Sequence, residues 1–251
     1  MMSTVLSVEQ LSGGYSPRKA IIQNINLHIE SGEMIGLIGV NGAGKSTTIK
    51  HILGLMTPHK GTIMINGTTL QDDVEKYRSG YTYVPETPVL FEELTVEEHL
   101  QLTAMAYSVP QKQYEQQVEL LLERYHMVKK RKSVTAHLSK GMKQKVMIMS
   151  ALLAKPSLFI IDEPFLGLDP LGIRSLLLEL EEVKRNGSSI LMSSHILATI
   201  EHYCDRFLML DGGQVVAQGT LQQMLEQANQ GGGQARNLEE AFYELLNGGE
   251  V

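Results

Sequence analysis

Eight consecutive residues, Gly39-Val40-Asn41-Gly42-Ala43-Gly44-Lys45-Ser46, leave this chain few folds to choose from. They match G-x-x-x-x-G-K-[ST], a pattern that works only as the turn between a strand and a helix. Both flanks comply. Glu33 to Gly39 is a short apolar run, suited to a strand covered on both faces, and Lys45 to about Leu55 reads as a helix. Gly42 and Gly44 let the backbone curl so that successive N–H groups of the Asn41–Thr47 stretch, Ala43 included, point inward. The helix start adds its partial positive charge. Such a nest suits phosphate. Lys45 would reach the terminal phosphates of a nucleotide, and the Ser46 hydroxyl, with Thr47 beside it, would meet Mg²⁺.

A second element complements the first. Leu158-Phe159-Ile160-Ile161 runs straight into Asp162-Glu163, four apolar residues and then two carboxylates. A buried strand ending there would set Asp162 beside the metal shell. Glu163, one residue on, could accept a hydrogen bond from a water aimed at the last phosphate.

The remaining texture is that of an α/β chain. Ile25, Leu27 and Ile29 alternate with polar neighbours, and Gly61–Asn66, Ser189–Met192 and Phe207–Leu210 read as strands. The last of these turns at Asp211-Gly212-Gly213 into Val215-Val216. Leu171 to Arg185 reads as a helix. Between about Asp72 and Pro156 the texture is helical. There Thr95 and Glu98 form a capping box ahead of Leu100, Ala104 and Tyr107. Val118, Leu121, Leu122 and Tyr125 share one face of Gln111–Met127, and Met142 to Ala154 is apolar nearly all round. Near the end, Gln230–Gln234 has linker composition and Leu238–Leu246 is amphipathic.

Composition narrows the class by exclusion. The chain has 22 basic and 28 acidic residues, a net charge of −6, which speaks against a nucleic-acid partner. A lone cysteine, Cys204, permits no intrachain disulfide and fits a reducing compartment. No apolar run approaches the ~20 residues that cross a bilayer, and Met1 to Gln10 lacks the pattern of a secretion signal. Cys204, the thirteen methionines and every histidine but His195 read as packing or surface residues. The Lys129–Lys132 run reads as a solvated helix end.

Four further motifs carry a family resemblance. Leu138-Ser139-Lys140-Gly141-Met142 resembles the signature sequence of ATP-binding cassette (ABC) ATPases. Gly167-Leu168-Asp169-Pro170 resembles their D-loop, Ser193-Ser194-His195 their switch histidine, and Tyr15 their adenine-stacking aromatic. The wording of Tyr83–Leu90, Ser139–Lys145 and Asp162–Pro170 is similar to that of the narrower Ecs-type ATPases of Gram-positive bacteria.

The resemblance implies an α/β fold, a P-loop NTPase cassette with a mixed or parallel sheet core. It adds an N-terminal antiparallel part and an inserted helical subdomain at about 76–155. The cassette would span 1–224, and 225–251 would be linker and terminal helix. It also implies ATP and Mg²⁺ as the molecules bound. Two cassettes would sandwich two ATP molecules head to tail, each site using the phosphate loop of one chain and Ser139, Lys140, Gly141 and Met142 of the other. Asp169 would serve that interface. Glu163 would be the catalytic base, with His195 holding it in line. Glu86 stands where the family's glutamine touches Mg²⁺ and the attacking water, so Ser46, Glu86 and Asp162 form the expected metal set. Lys140 and Met142 replace the usual glycine and glutamine, while Ser139 and Gly141 are kept. A separately encoded transmembrane permease would dock on the loop bearing Leu90 and Phe91. These expectations describe an ATPase subunit of a bacterial exporter of peptide-type cargo, cytoplasmic and peripheral at the inner face of the membrane. A different class of reading is an ATP-dependent switch that regulates a membrane partner without moving substrate.

Overall fold

The computed structural model describes residues 3–165, 168, 170–230 and 233–247. Its strands are β1 (Thr4–Gly13), β2 (Ile22–Glu30), β3 (Met34–Gly39), β4 (Lys60–Ile65), β5 (Tyr81–Val84), β6 (Leu158–Asp162), β7 (Ser189–Ser193), β8 (Arg206–Asp211) and β9 (Gln214–Gly219). Its α-helices are α1 (Lys45–Ile52), α2 (Val74–Ser79), α3 (Val96–Ala106), α4 (Gln111–Arg124), α5 (Lys140–Ala154), α6 (Pro170–Arg185), α7 (Leu197–Ile200), α8 (Leu221–Asn229) and α9 (Leu238–Asn247).

Two sheets form. An antiparallel one has the order β2-β1-β4, and the central one the order β5-β6-β7-β3-β8-β9, parallel except for β9. The expected α/β architecture with a mixed sheet and an antiparallel N-terminal part is therefore what the chain adopts. The buried strands β3, β6 and β7 are covered on both faces. Met34, Ile38, Phe159, Ile161, Ile190 and Met192 point into one core, with Val146, Met149, Leu176 and Leu180 of α5 and α6. Ile35, Leu37, Leu158, Ile160 and Leu191 point into the other, against α1 and the N-terminal sheet. The alternation along β2 does its work there, with Ile25, Leu27 and Ile29 all buried.

Local signals explain several boundaries. The Thr95 capping box forms as expected, with Thr95 N–H donating to Glu98 Oε2 at 2.7 Å and Glu98 N–H to Thr95 Oγ1 at 3.2 Å, worth about 1 kcal/mol. Helix α1 stops three residues short of Leu55. Gly54 adopts φ 69°, and Leu55 N–H and Gly54 N–H fold back on Lys50 O and His51 O. That Schellman ending throws Leu55 out to solvent, 67% exposed. The β8–β9 turn has φ 51° at Gly212 and φ 80° at Gly213, the pair of positive values that a two-residue hairpin needs.

Two expectations need correction. The stretch from Asp72 is not helical throughout, because Tyr81–Val84 pairs in parallel with Leu158–Ile161 as the edge strand of the central sheet. Four residues are too few to display a period, and only the long-range partner makes them a strand. The boundary expected at 224/225 falls inside α8, so residues 225–229 are helix rather than linker. Asn229 closes the α8–α9 connection, accepting from Ala235 N–H at 2.7 Å and donating to Ala235 O at 3.1 Å. Residues 231 and 232 of that connection lie outside the described residues.

Candidate nucleotide site

The site is assembled where the parallel strands end. The phosphate loop leaves β3 at Gly39 and enters α1 at Lys45. Gly42 and Gly44 have φ 84° and φ 108°, conformations that side chains with a Cβ rarely take. No side chain caps α1 and its first turn holds no acid, so its orphan N–H groups are left for an anion. The loop is buttressed from behind. Gly213 N–H donates to Ala43 O, and Gln23 N–H donates to Gly213 O at 2.8 Å. A Cβ on Gly213 would meet Ile21 O at 1.8 Å, so the hairpin approaches this closely only with glycine there.

A cleft of about 540 Å³ is lined by Tyr15, Asn41, Gly42, Gly44, Lys45, Ser46, Thr47, Glu86, Asp162, Glu163 and His195. Every candidate nucleotide, metal and catalytic residue from the sequence is among them except Ala43. Ala43 is buried, and its N–H is engaged by Val40 O at 3.1 Å within the loop. Ser139, Lys140, Gly141 and Met142 do not line the cleft. Ser139 caps α5, its hydroxyl oxygen accepting from Met142 N–H at 3.3 Å, which leaves its own proton free to donate. Asp169 lies outside the described residues.

The acidic pair is set by strand register. Asp162 ends β6 opposite Ser193 of β7 and accepts from the Ser193 hydroxyl at 2.5 Å. Glu163 then turns the chain with φ 47°, a left-handed conformation that costs a residue with a Cβ about 1–2 kcal/mol. Its N–H stays bonded to Ser193 O and Oγ, and the turn swings its carboxylate toward His195. Glu163 Oε2 is met by His195 N–H at 3.2 Å and by Nδ1 at 2.7 Å. An ionised carboxylate only accepts, so Nδ1 carries the proton.

Lys45 is only 8% exposed. Its Nζ donates to Gly39 O at 2.7 Å and Val40 O at 3.2 Å. Burial lowers its pKa, and the carboxylates of Glu163, Asp162 and Glu86 work against that shift. Tyr83, pushed up to about 12 by burial and then by Asp162 and Glu86, remains a phenol beside the acids. Sequence reasoning gave it no role. Nor did it find Lys50, whose Nζ donates to Tyr15 Oη at 3.0 Å and holds the otherwise exposed ring against α1. Only the fold brings these partners together.

Among the described residues no three His, Cys, Asp or Glu side chains converge as a metal cage. The oxygens on offer, Ser46, Asp162 and Glu86, suit a hard ion that takes its other ligands from phosphate and water, as Mg²⁺ does.

The loop that bears Leu90 and Phe91 follows β5. Phe91 O accepts from Thr135 Oγ1 at 2.7 Å and is 3.0 Å from His99 Nε2, so the backbone is pinned while the ring stays 62% exposed. Val89 beside it is 74% exposed, whereas Leu90 is half-buried and packs on the core. The apolar surface expected of Leu90 and Phe91 is thus presented chiefly by Val89 and Phe91.

A strand-to-helix phosphate loop, a buried acid at the end of β6 and a carboxylate–histidine pair define a P-loop nucleotide-hydrolysing site. Comparison with known proteins makes the class specific. The ABC transporter family model matches residues 22–166, more than half of the chain. The ABC-type transporter ATP-binding protein EcsA of Bacillus subtilis is 57% identical over 224 residues, 89% of this chain and 90% of that one. The bacitracin transport ATP-binding protein BcrA of Enterococcus faecalis is 35% identical, covering 89% of this chain and 72% of its own. A solved ATP-binding subunit of an ABC transporter is 51% identical and superposes with a TM-score of 0.92, over 96% of this chain and 99% of its own. The chain belongs to the ABC transporter family as an ATP-binding subunit, an ATPase that powers transport. Among its described residues no helix is long and apolar enough to cross a membrane.

Proposed function

We propose that this chain is the ATPase of an exporter and works as a head-to-tail pair, with itself or with a second cassette, at the inner face of the cell membrane. One observation carries the pairing. The cleft holds the phosphate loop, both acids and His195, but none of Ser139 to Met142. A second copy would supply that signature, with the Ser139 hydroxyl and the start of α5 aimed at the last phosphate. Asp169 would sit at the same interface. Lys45 and the N–H groups of the loop would hold the phosphates, and Tyr15, steadied by Lys50, would stack on the base. Ser46, Asp162 and Glu86 would hold Mg²⁺, which when bound offsets charge on the phosphates. Glu163 would orient the attacking water and take its proton, and His195 would fix that carboxylate. In this reading the cassette ends after α8, with the segment of about 76–155 as its helical lobe.

The partner would be a transmembrane permease docked at Val89 and Phe91, whose exposed apolar surface calls for a cover. A peptide-type cargo is the reading favoured by the bacitracin transport relative. Vesicles containing the chain with its permease should show ATP-driven flux of peptide across the membrane. ATP turnover without flux would mark a regulatory switch instead, and uptake in the opposite direction would mark an importer. Val89→Glu with Phe91→Glu should abolish flux while leaving nucleotide binding intact, since both side chains lie outside the nucleotide cleft. Unchanged flux in that variant would remove the loop from the docking surface.

A further inference from the structure

The segment carrying His195 is held in place from the far end of the chain. His195 is followed almost at once by α7, which is only four residues long. One turn of helix fixes several residues for very few hydrogen bonds and is not stable unaided. What holds it is packing. Leu197 and Ile200 of α7 lie in the same apolar core as Leu238 and Phe242 of α9. A polar tie reinforces the contact, because Leu238 N–H donates to the Glu201 carboxylate at 2.6 Å. Leu238 opens α9, so this N–H is one that the helix itself cannot satisfy. Asn237 Oδ1 takes the N–H of Glu240 at 2.8 Å, which leaves Glu201 as the second half of the cap. Glu201 is also the residue that closes α7, so one side chain joins the end of α7 to the start of α9.

The same helix borders the site. A second cleft, of about 420 Å³, shares Asn41 and His195 with the nucleotide cleft and is also lined by Phe242 and Tyr243. Tyr243 is 57% exposed there, whereas Leu238 and Ala241 are fully buried. The helix therefore stands beside the histidine segment with one face locked into the core.

We propose that α9 positions His195 for hydrolysis, acting through Glu201 and α7. The inference rests on the role given to His195 above. Glu201, Leu238 and Phe242 touch no substrate in this scheme. They set where the histidine segment lies relative to Glu163, and displacements of an ångström at such a contact can cost up to ~10²-fold in rate.

The test uses the chain assembled with its membrane partner. Glu201→Ala should lower kcat for ATP by about 10-fold with ATP affinity unchanged. Glu201→Gln, which keeps an oxygen to accept from Leu238 N–H, should restore most of the loss. Amide hydrogen exchange over residues 195–200 should quicken in Glu201→Ala while the phosphate loop stays protected. In a His195→Ala background, Glu201→Ala should cause no further loss of the residual turnover. An equal loss in both backgrounds, or a parallel loss of ATP affinity, would overturn the proposal. If His195→Ala itself leaves turnover intact, the role assigned to His195 fails. If His195→Ala slows turnover and Glu201→Ala does not, only the positioning role of α9 fails.

Discussion

Chains carrying Glu163→Gln are expected to bind ATP, remain paired and turn over at least ~10²-fold more slowly than the native protein. The geometry isolates the effect well. Both contacts from His195 fall on Oε2 of Glu163, at 3.2 and 2.7 Å. We assign the other oxygen, Oε1, to the attacking water. Glutamine has the same shape, and its oxygen can still accept from His195, so the turn at φ 47° and the wall of the cleft should persist. What it lacks is the capacity to take a proton. Retained ATP binding with lost turnover, read by nucleotide titration and phosphate release, would place the loss in the chemical step. Trapped, closed pairs should also accumulate, since hydrolysis is what reopens them in this scheme. Native turnover in the variant would show that the carboxylate is not the base. Loss of ATP affinity would show that Glu163 acts on binding instead.

How much of this was written in the sequence depends on the range of the interaction. Elements specified by neighbours in the chain were legible: the loop from Gly39 to Ser46, the Thr95–Glu98 cap and the Gly212-Gly213 hairpin. The Thr220–Gln223 capping box at the head of α8 is equally local, but the apolar stripe behind it is too short to announce a helix. β5 could not be read, since its strand character comes from pairing with Leu158–Ile161 more than seventy residues away. The same holds within the site. Types and spacing singled out Asp162 and Glu163, and the family resemblance added His195, but their mutual geometry depends on the β6–β7 register that sets Asp162 opposite Ser193. Lys50 and Glu201 belong to no motif, and Ser193 and Tyr83 lie in motif stretches that give them no role of their own. Each is ordinary in sequence and acquires a role only from what the fold sets beside it.

Lys45→Met should lose ATP binding without losing the fold. The native ammonium is buried, and burial lowers its pKa despite the acids nearby. A base whose pKa is depressed on folding holds its proton less well in the folded state than in the unfolded one. Below the folded pKa the charged form therefore costs folding free energy, and that cost fades only as pH rises through the folded pKa toward the unfolded one. Removing the charge removes the cost. Against this stand two hydrogen bonds from the charged donor, to Gly39 O and Val40 O, worth about 1.5–3 kcal/mol each net. Both residues border the second cleft, where water can take the carbonyls over. Tm without nucleotide should accordingly stay level or rise. Binding behaves differently. A charge-assisted contact to phosphate contributes about 2–3 kcal/mol, so Kd for ATP should rise by ~30–150-fold. Thermal melts with and without ATP held near the native Kd separate the two effects, because a ligand that binds only the native state stabilises it by RT ln(1 + L/Kd), where L is the free ligand concentration. The native chain should melt later with ATP, and Lys45→Met should not respond. A variant that melts early without nucleotide would show instead that the lysine is a structural clamp on the loop carbonyls, and that its burial serves the fold before it serves the phosphate.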